Sequence, residues 1–297
     1  MWPFRKKKIL VTHSGNFHAD DVFAAAALSI LLKDRVKIIR TRDEAKIAKG
    51  DFVFDVGGVS DPAKNRFDHH QKGGAGVRIN SIPYASFGLV WKRYGSEITG
   101  SKSVADFIDY KLAMPIDAGD NGVSVATPNF AGIYPYELYE ALDAFVPMSK
   151  EKSIDIDKVF LEMVGFAKNI LRREIAKEKS RDEAVAVVKT IVDNSLDKRL
   201  IIFDKKYPIE GVINRFPEPL FVVVPRQTDW LVLTVRDDLR SFKNRKDLPK
   251  AWAGLQGGDL AKITGVPDAA FCHNNLFIAV AKSREGAIAL ARLALAA

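Results

Sequence analysis

The chain has 297 residues, enough for two domains with sizeable cores, and its 47% apolar and 28% charged composition excludes a disordered or fibrous chain. A formal charge of +8 permits a polyanionic partner without requiring one, because much of the excess lies in the first eight residues and at helix ends. Cys272 is the only cysteine, which excludes an intramolecular disulfide and a thiolate metal cluster and fits a reducing compartment.

The basic start Met1 to Lys8 leads into an apolar run, Ile9 to Thr12, far too short for a signal-peptide core. The longest apolar stretch, Val22 to Leu32, is interrupted by Ser29 and cannot span a bilayer. A soluble, cytoplasmic protein with no membrane partner is expected.

In chain order, Lys8 to Thr12 reads as a buried strand, Ser14-Gly15-Asn16 as a turn, and Asp20 to Lys33 as an alanine-rich helix with acids at its start, where they suit the helix dipole. Val36 to Arg40 is a second strand, Arg42 to Lys49 a short polar helix, and Phe52 to Val56 a third strand closing at Gly57-Gly58. This alternation predicts an α/β domain with a mostly parallel sheet and helices on both faces. Tyr84 to Tyr94 and Ser103 to Met114 have helical apolar spacing, with Pro115 ending the second and Asp117 to Gly122 forming a loop. Gly122 to Pro135 lacks periodicity, and Ile156 to Ile170 and Ile175 to Val192 read as two helices. After a boundary near Ser195 the texture turns to β-branched and aromatic runs at Leu200 to Phe203, Leu220 to Val224 and Trp230 to Val235. A helix over Gly258 to Thr264, a strand over Ala270 to Ala281 and a helix over Arg284 to Leu295 complete a smaller C-terminal α/β domain. The expected domains are 1–195 and 196–297.

Four of the five histidines fall between residues 13 and 70, in two clusters that also hold aspartate. Imidazole and carboxylate grouped this way suit a hydrolytic metal centre. His13, His18 and Asp20 lie between a strand and a helix, at the strand end where open α/β sheets bind ligands. Helix capping accounts for one of Asp20 and Asp21 but not for two histidines beside them. Asp55 at a strand end, and Asp117 and Asp120 before Asn121-Gly122, would each pass alone for a turn residue. Asp68-His69-His70 is too concentrated a use of scarce histidine to pass that way.

Together these residues resemble the DHH phosphoesterase superfamily, most closely the family named for melanocyte proliferating gene. The matching pieces are Thr12-His13 with Phe17 to Asp20, Asp55 to Gly58 with Asp61-Pro62, Phe67 to Gln71, and Asp117 to Gly122. Further on they are Ser241-Phe242 with Arg245, Leu248-Pro249 with Ala251-Trp252, Phe271 with His273, and Arg284 to Ala287. The resemblance implies a DHH-type metal-binding domain followed by a DHH-associated substrate-binding domain that closes over it. It implies two divalent metals: His13, His18 and Asp55 would hold one, and Asp20, Asp55, His69 and Asp120 the other, with Asp120 favoured over Asp117. Two cations ~4 Å apart clamp a phosphate and activate a water. Imidazole and oxygen ligands put Mn²⁺ first and Mg²⁺ next. His70 would face the scissile phosphate, Asp68 would orient His69, and His273 with Arg245 would bind substrate.

The chain departs from the family in having Asp21 where glutamate is usual, and Ala279-Val280 where a Gly-Gly pair would let backbone approach phosphate. The implied activity is a metal-dependent exonuclease running 3′ to 5′ on single-stranded RNA or short oligonucleotides. A homo-oligomer is compatible with this reading. The alternatives are a pyrophosphatase or other small-phosphate hydrolase, and a non-catalytic nucleic-acid-binding module, which would be expected to have lost ligands that are all present here.

Overall fold

A computed structural model describes residues 6–151, 153–238, 241 and 243–297. The first five residues of the basic N-terminus, and Phe242 among the matched C-terminal positions, lie outside that set. The chain divides into two compact units, Met1–Glu178 and Lys179–Ala297.

The first unit starts with β1 (Lys8–Thr12), α1 (Ala19–Leu31), β2 (Val36–Arg40), α2 (Glu44–Ile47) and β3 (Phe52–Phe54). Two short strands follow, β4 (Ser60–Asp61) and β5 (Arg66–Phe67), giving a sheet of order β2-β1-β3-β5-β4. All its pairings are parallel except β4 with β5. Side chains alternate along each strand, so Leu10, Phe52 and Phe54 enter the main core while Val11 and Val53 pack with Ile47 of α2 on the other face. The main core is closed by α1, whose alanines let α3 (Ser86–Thr99) pack closely against it.

Pro115 does not end the helical region as expected. α4 (Lys102–Ile108) passes through a π-helical turn, Asp109–Ala113, into α5 (Met114–Asp120), with Pro115 in the first turn of α5. A proline inside a regular helix leaves a carbonyl unpaired and clashes with it, and the widened turn just before Pro115 takes up that mismatch. Asp117 and Asp120 are therefore helical rather than in a loop. α6 (Leu138–Asp143) was not expected, and the two helices read between Ile156 and Val192 are one, α7 (Ile156–Asn194). Glu178 and Lys179, where the units divide, lie within α7, whereas the change in texture near Ser195 marks its end.

The second unit holds β6 (Leu200–Ile202), β7 (Phe221–Pro225), β8 (Trp230–Thr234), α8 (Gly257–Thr264), β9 (Ala269–Cys272), β10 (Ile278–Ala281) and α9 (Arg284–Ala296). Its sheet, β6-β7-β8-β10-β9, is antiparallel apart from β6 with β7. Phe221 and Val223 face α9, while Val222 and Val224 face the C-terminal part of α7. The single strand expected over Ala270 to Ala281 is a hairpin. Asn274-Asn275 turn the chain, Leu276 takes a left-handed φ of 59°, and His273 sits in that turn. Ala279 and Val280 are buried in β10. Among the described residues no helix is long and apolar enough to cross a membrane.

Candidate metal centre

The parallel strands β1, β3 and β5 end at the same edge of the first sheet, and each end carries a site residue. This is the edge at which open α/β sheets present ligand-binding groups. After β1, His13 enters a turn that uses Gly15 at φ 99° and leads to His18, the residue capping α1. The turn is pinned from outside by Arg40, which donates to the Gly15 carbonyl and pairs with Asp157 at 2.7 Å. After β3, Asp55 takes a φ of 56°, so the strand stops at Phe54 and the Asp55 carboxylate turns into the site. Aspartate tolerates the left-handed region better than most residues. After β5 come Asp68, His69 and His70.

Asp55 is the hub. One carboxylate oxygen lies 3.1 Å from His13 Nε2, and the other lies 3.3 Å from His69 Nε2. His69 Nε2 is also 3.2 Å from Asp120 Oδ2 and 3.8 Å from Asp20 Oδ2. Three overlapping groups bring ligand atoms close enough to share a cation: His13 with His18 and Asp55, Asp55 with His69 and His70, and His18 with Asp20 and Asp120. A fourth group joins Asp20, Asp21 and Asp55.

The electrostatics are those of a site short of positive charge. Burial, then the charges of Asp55, Asp120 and Asp21, push the Asp20 carboxyl well above the ordinary range. Burial and Asp55 likewise raise Asp120, and they lift Asp21 to about 7. Burial would also raise Asp55, but the His13 and His69 rings beside it outweigh burial and hold that carboxyl below its usual range. Burial opposes charge on His13 and His69, yet the Asp55 carboxylate beside each ring leaves both raised. Asp20 Oδ1, Asp55 Oδ1 and His69 Nε2 are buried without a hydrogen-bond partner. Unpaired buried polar atoms are costly. Divalent cations fit this oxygen and imidazole donor set and would relieve both the unpaired atoms and the crowded negative charge.

Asp117 and Asp120 separate by direction. Asp117 is fully buried, accepts from the Gly88 amide at 2.9 Å and pairs with Arg78 Nη1 at 2.6 Å. Burial still pushes it to about 7 against the pull of Arg78. It anchors α5, and Asp120, further along the same helix, is the residue at the cluster.

Asp68 does not hold the His69 ring. Its Oδ1 accepts the His69 and His70 backbone amides at 2.8 and 3.1 Å and the His70 Nδ1 at 2.8 Å, while Oδ2 accepts the Gly58 amide. Asp68 thus shapes the loop and aims the His70 ring, whose side chain is 63% exposed. The His69 ring is set by Asp55 and Asp120 instead.

Arg245 also departs from expectation. Its guanidinium donates to the carbonyls of Asn214, Phe216 and Pro219 and pairs with Asp237 at 2.6 Å. Four of the five N–H groups of an arginine are thereby committed to its own unit, so it braces a loop rather than waiting for phosphate. His273 Nδ1 accepts the Asn275 amide at 3.0 Å, and its ring lies 4.4 Å from that of Phe277.

A cavity of about 310 Å³ opens on the cluster, lined by His13, His18, Asp55, Asp68 and His70 together with Arg42. Arg42 went unnoticed in the sequence. It follows β2, another strand ending at the same edge, and that position was the available signal.

A mostly parallel sheet with histidine and carboxylate groups gathered at its strand ends, close enough to share a cation, defines an α/β protein with a candidate metal site. The chain matches the family model MYG1_exonuc, described as an uncharacterised protein family (UPF0160), over residues 9–295, and it belongs to that family. It is 32% identical to an MYG1 protein of Chlamydia muridarum over 92% of each chain. It is 31% identical to an MYG1 protein of Caenorhabditis elegans, over 97% of this chain and 95% of the relative. It is 29% identical to the MYG1 exonuclease of Rattus norvegicus, over 96% of this chain and 84% of the relative.

Proposed function

We propose that the protein is a divalent-metal-dependent phosphodiesterase of the cytoplasm that removes nucleotides from the 3′ end of single-stranded RNA or short oligonucleotides. The observation that carries this is the convergence around Asp55 of groups from the ends of β1 and β5 and from two helices, α1 and α5, with buried oxygens left unpaired. The exonuclease name of the rat relative supports the substrate class.

In this reading His13, His18 and Asp55 hold one cation and Asp20, Asp55, His69 and Asp120 the other, Mn²⁺ or next Mg²⁺. Bound there, the cations supply charge for the phosphate and lower the pKa of a water. The chain's own groups do the rest. Arg42 and His70 flank the cavity beside the cluster and bind phosphate oxygens. Asp68 holds the proton on His70 Nδ1, which leaves Nε2 directed outward. Phosphoryl transfer then depends mainly on positioning and charge stabilisation. His273, in the second unit, is assigned as a substrate-binding residue.

The test is Mn²⁺-dependent release of mononucleotides from a uniformly labelled oligoribonucleotide by the protein and by Asp55→Ala. Equal release by the two would end this reading. Pyrophosphate belongs in the same panel, since orthophosphate release with oligomers left intact would identify a small-phosphate hydrolase.

A further inference from the structure

A second cavity, of about 300 Å³, lies on the other side of His18 and Asp120, between α1, α5 and α6. Its remaining wall includes Phe17, Ile116, Gly119, Tyr139, Glu140 and Asp143. We propose that this cavity is a nucleobase subsite that prefers bases offering N–H groups, guanine foremost. The proposal rests on the phosphodiesterase reading, because it assigns the base of the nucleotide being released.

The two cavities differ in charge. The first sets Arg42 and His70 beside Asp55 and Asp68. The second has no lysine or arginine in its wall and adds Glu140 and Asp143 to Asp120. Residues 121–148, which include α6, contain no lysine or arginine at all. A phosphate is repelled from such a wall, whereas a planar, uncharged group rich in N–H donors is not. A nucleotide bound at the cluster therefore has one favourable orientation, with phosphate towards Arg42 and base towards α6.

The wall is built for a flat ring. On α6, Leu142 is buried and Leu138 packs beside it on the core, which turns Tyr139, Glu140 and Asp143 to the cavity. The Tyr139 ring lies against Gly119, where an added Cβ would come within 2.8 Å of its Cδ1, so only glycine lets the ring rest there. Tyr139 remains 40% exposed, leaving surface on which a base can stack. Glu140 Oε2 accepts the Glu137 amide at 2.6 Å, which fixes the carboxylate and leaves its other oxygen and a second lone pair on Oε2. A carboxylate can take the N1–H and N2–H of guanine together, and one amino hydrogen bond from adenine or cytosine. Uracil offers a single N–H flanked by two carbonyl oxygens that a carboxylate repels.

The experiment uses four oligoribonucleotides differing only in the 3′-terminal base, with Mn²⁺. The wild type is compared with Tyr139→Ala, Tyr139→Phe, Glu140→Gln and Asp143→Asn, each checked by circular dichroism and bound manganese. We expect kcat/KM to favour terminal guanine over uracil by at least about fivefold. Tyr139→Ala should raise KM ~10-fold for every base while kcat holds, and Tyr139→Phe should restore it. Glu140→Gln or Asp143→Asn should flatten the guanine preference. Equal kcat/KM for the four bases, or an unchanged KM in Tyr139→Ala, overturns the subsite. Titrating GMP and UMP onto the manganese-loaded protein asks the same question without turnover. Tighter GMP binding with no oligonucleotide cut keeps the subsite and sinks the phosphodiesterase reading, while equal affinities sink the subsite.

Discussion

Asp68→Asn tests how the histidine pair is held. Asp68 is 2% exposed and accepts three hydrogen bonds on one oxygen and the Gly58 amide on the other. An asparagine carbonyl placed at the first oxygen keeps three of these, weakened from charge-assisted to neutral, and its NH₂ group then confronts the Gly58 N–H. The opposite flip is worse, because it sets the NH₂ against two backbone amides and His70. One buried donor left unsatisfied costs about 1–3 kcal/mol. Charge-assisted bonds are roughly twice as strong as neutral ones, so the weakened bonds add to that, discounted for the exposed His70 ring. The expected total is about 2–4 kcal/mol in urea denaturation, with loss of amide-exchange protection concentrated at Gly58, His69 and His70. Bound manganese should be nearly retained, because Asp68 touches no ring that faces both Asp55 and Asp120. Turnover should fall ~10–100-fold, as is usual when an orienting carboxylate is removed. Unchanged stability with Gly58 still protected would refute the reasoning.

His69→Ala should lower manganese content, whereas His70→Ala should keep the metal and lose turnover; equal metal loss in both would show that the two rings share one task. Gly88→Ala places a Cβ 1.8 Å from Asp117 Oδ2 and 2.6 Å from Arg78 Nη2. The buried pair must break, so we expect a loss of about 3–5 kcal/mol and weaker manganese binding through Asp120 on the same helix; a variant as stable as wild type would remove Asp117 as the anchor. The metal-free protein should lose stability as pH rises from about 4 to about 7, because Asp21 and Asp117 move from 3.8 to about 7 on folding and so bind protons more tightly folded than unfolded. The raised His13 and His69 carry the same sign through neutral pH, and the lowered Asp55 acts only below the ordinary carboxylate range. With Mn²⁺ the slope should reverse, since ligands must be deprotonated to bind; thermal melts across pH in EDTA and in Mn²⁺ that ran parallel would contradict the site.

The parts of the molecule that were legible in the sequence share a physical reason. A parallel sheet puts its strand ends on one edge, so Thr12-His13 and Phe54-Asp55 could be placed together once the alternation of strands and helices was read, whereas β5, only two residues long, went unread and Asp68-His69-His70 stood out by its histidines alone. What stayed hidden depended on contacts between residues far apart in the chain. Asp117 and Asp120 are the same residue three positions apart, and only Arg78 and Gly88, from other segments, decide that one is consumed as an anchor while the other meets His69. Arg245 looked free because the three carbonyls that occupy it lie more than twenty residues upstream. The π-helical turn before Pro115 belongs with these cases. Sequence rules end a helix near proline because regular geometry cannot absorb it, and here the geometry is not regular. That irregularity has a consequence for the site. It lets one helical run continue past Pro115 to Asp120, so a carboxylate that a loop would leave mobile is presented to His69 from a rigid element. A metal site needs its donors fixed to within a fraction of an ångström. The local violation of helix rules and the placement of Asp120 are therefore one feature of the fold.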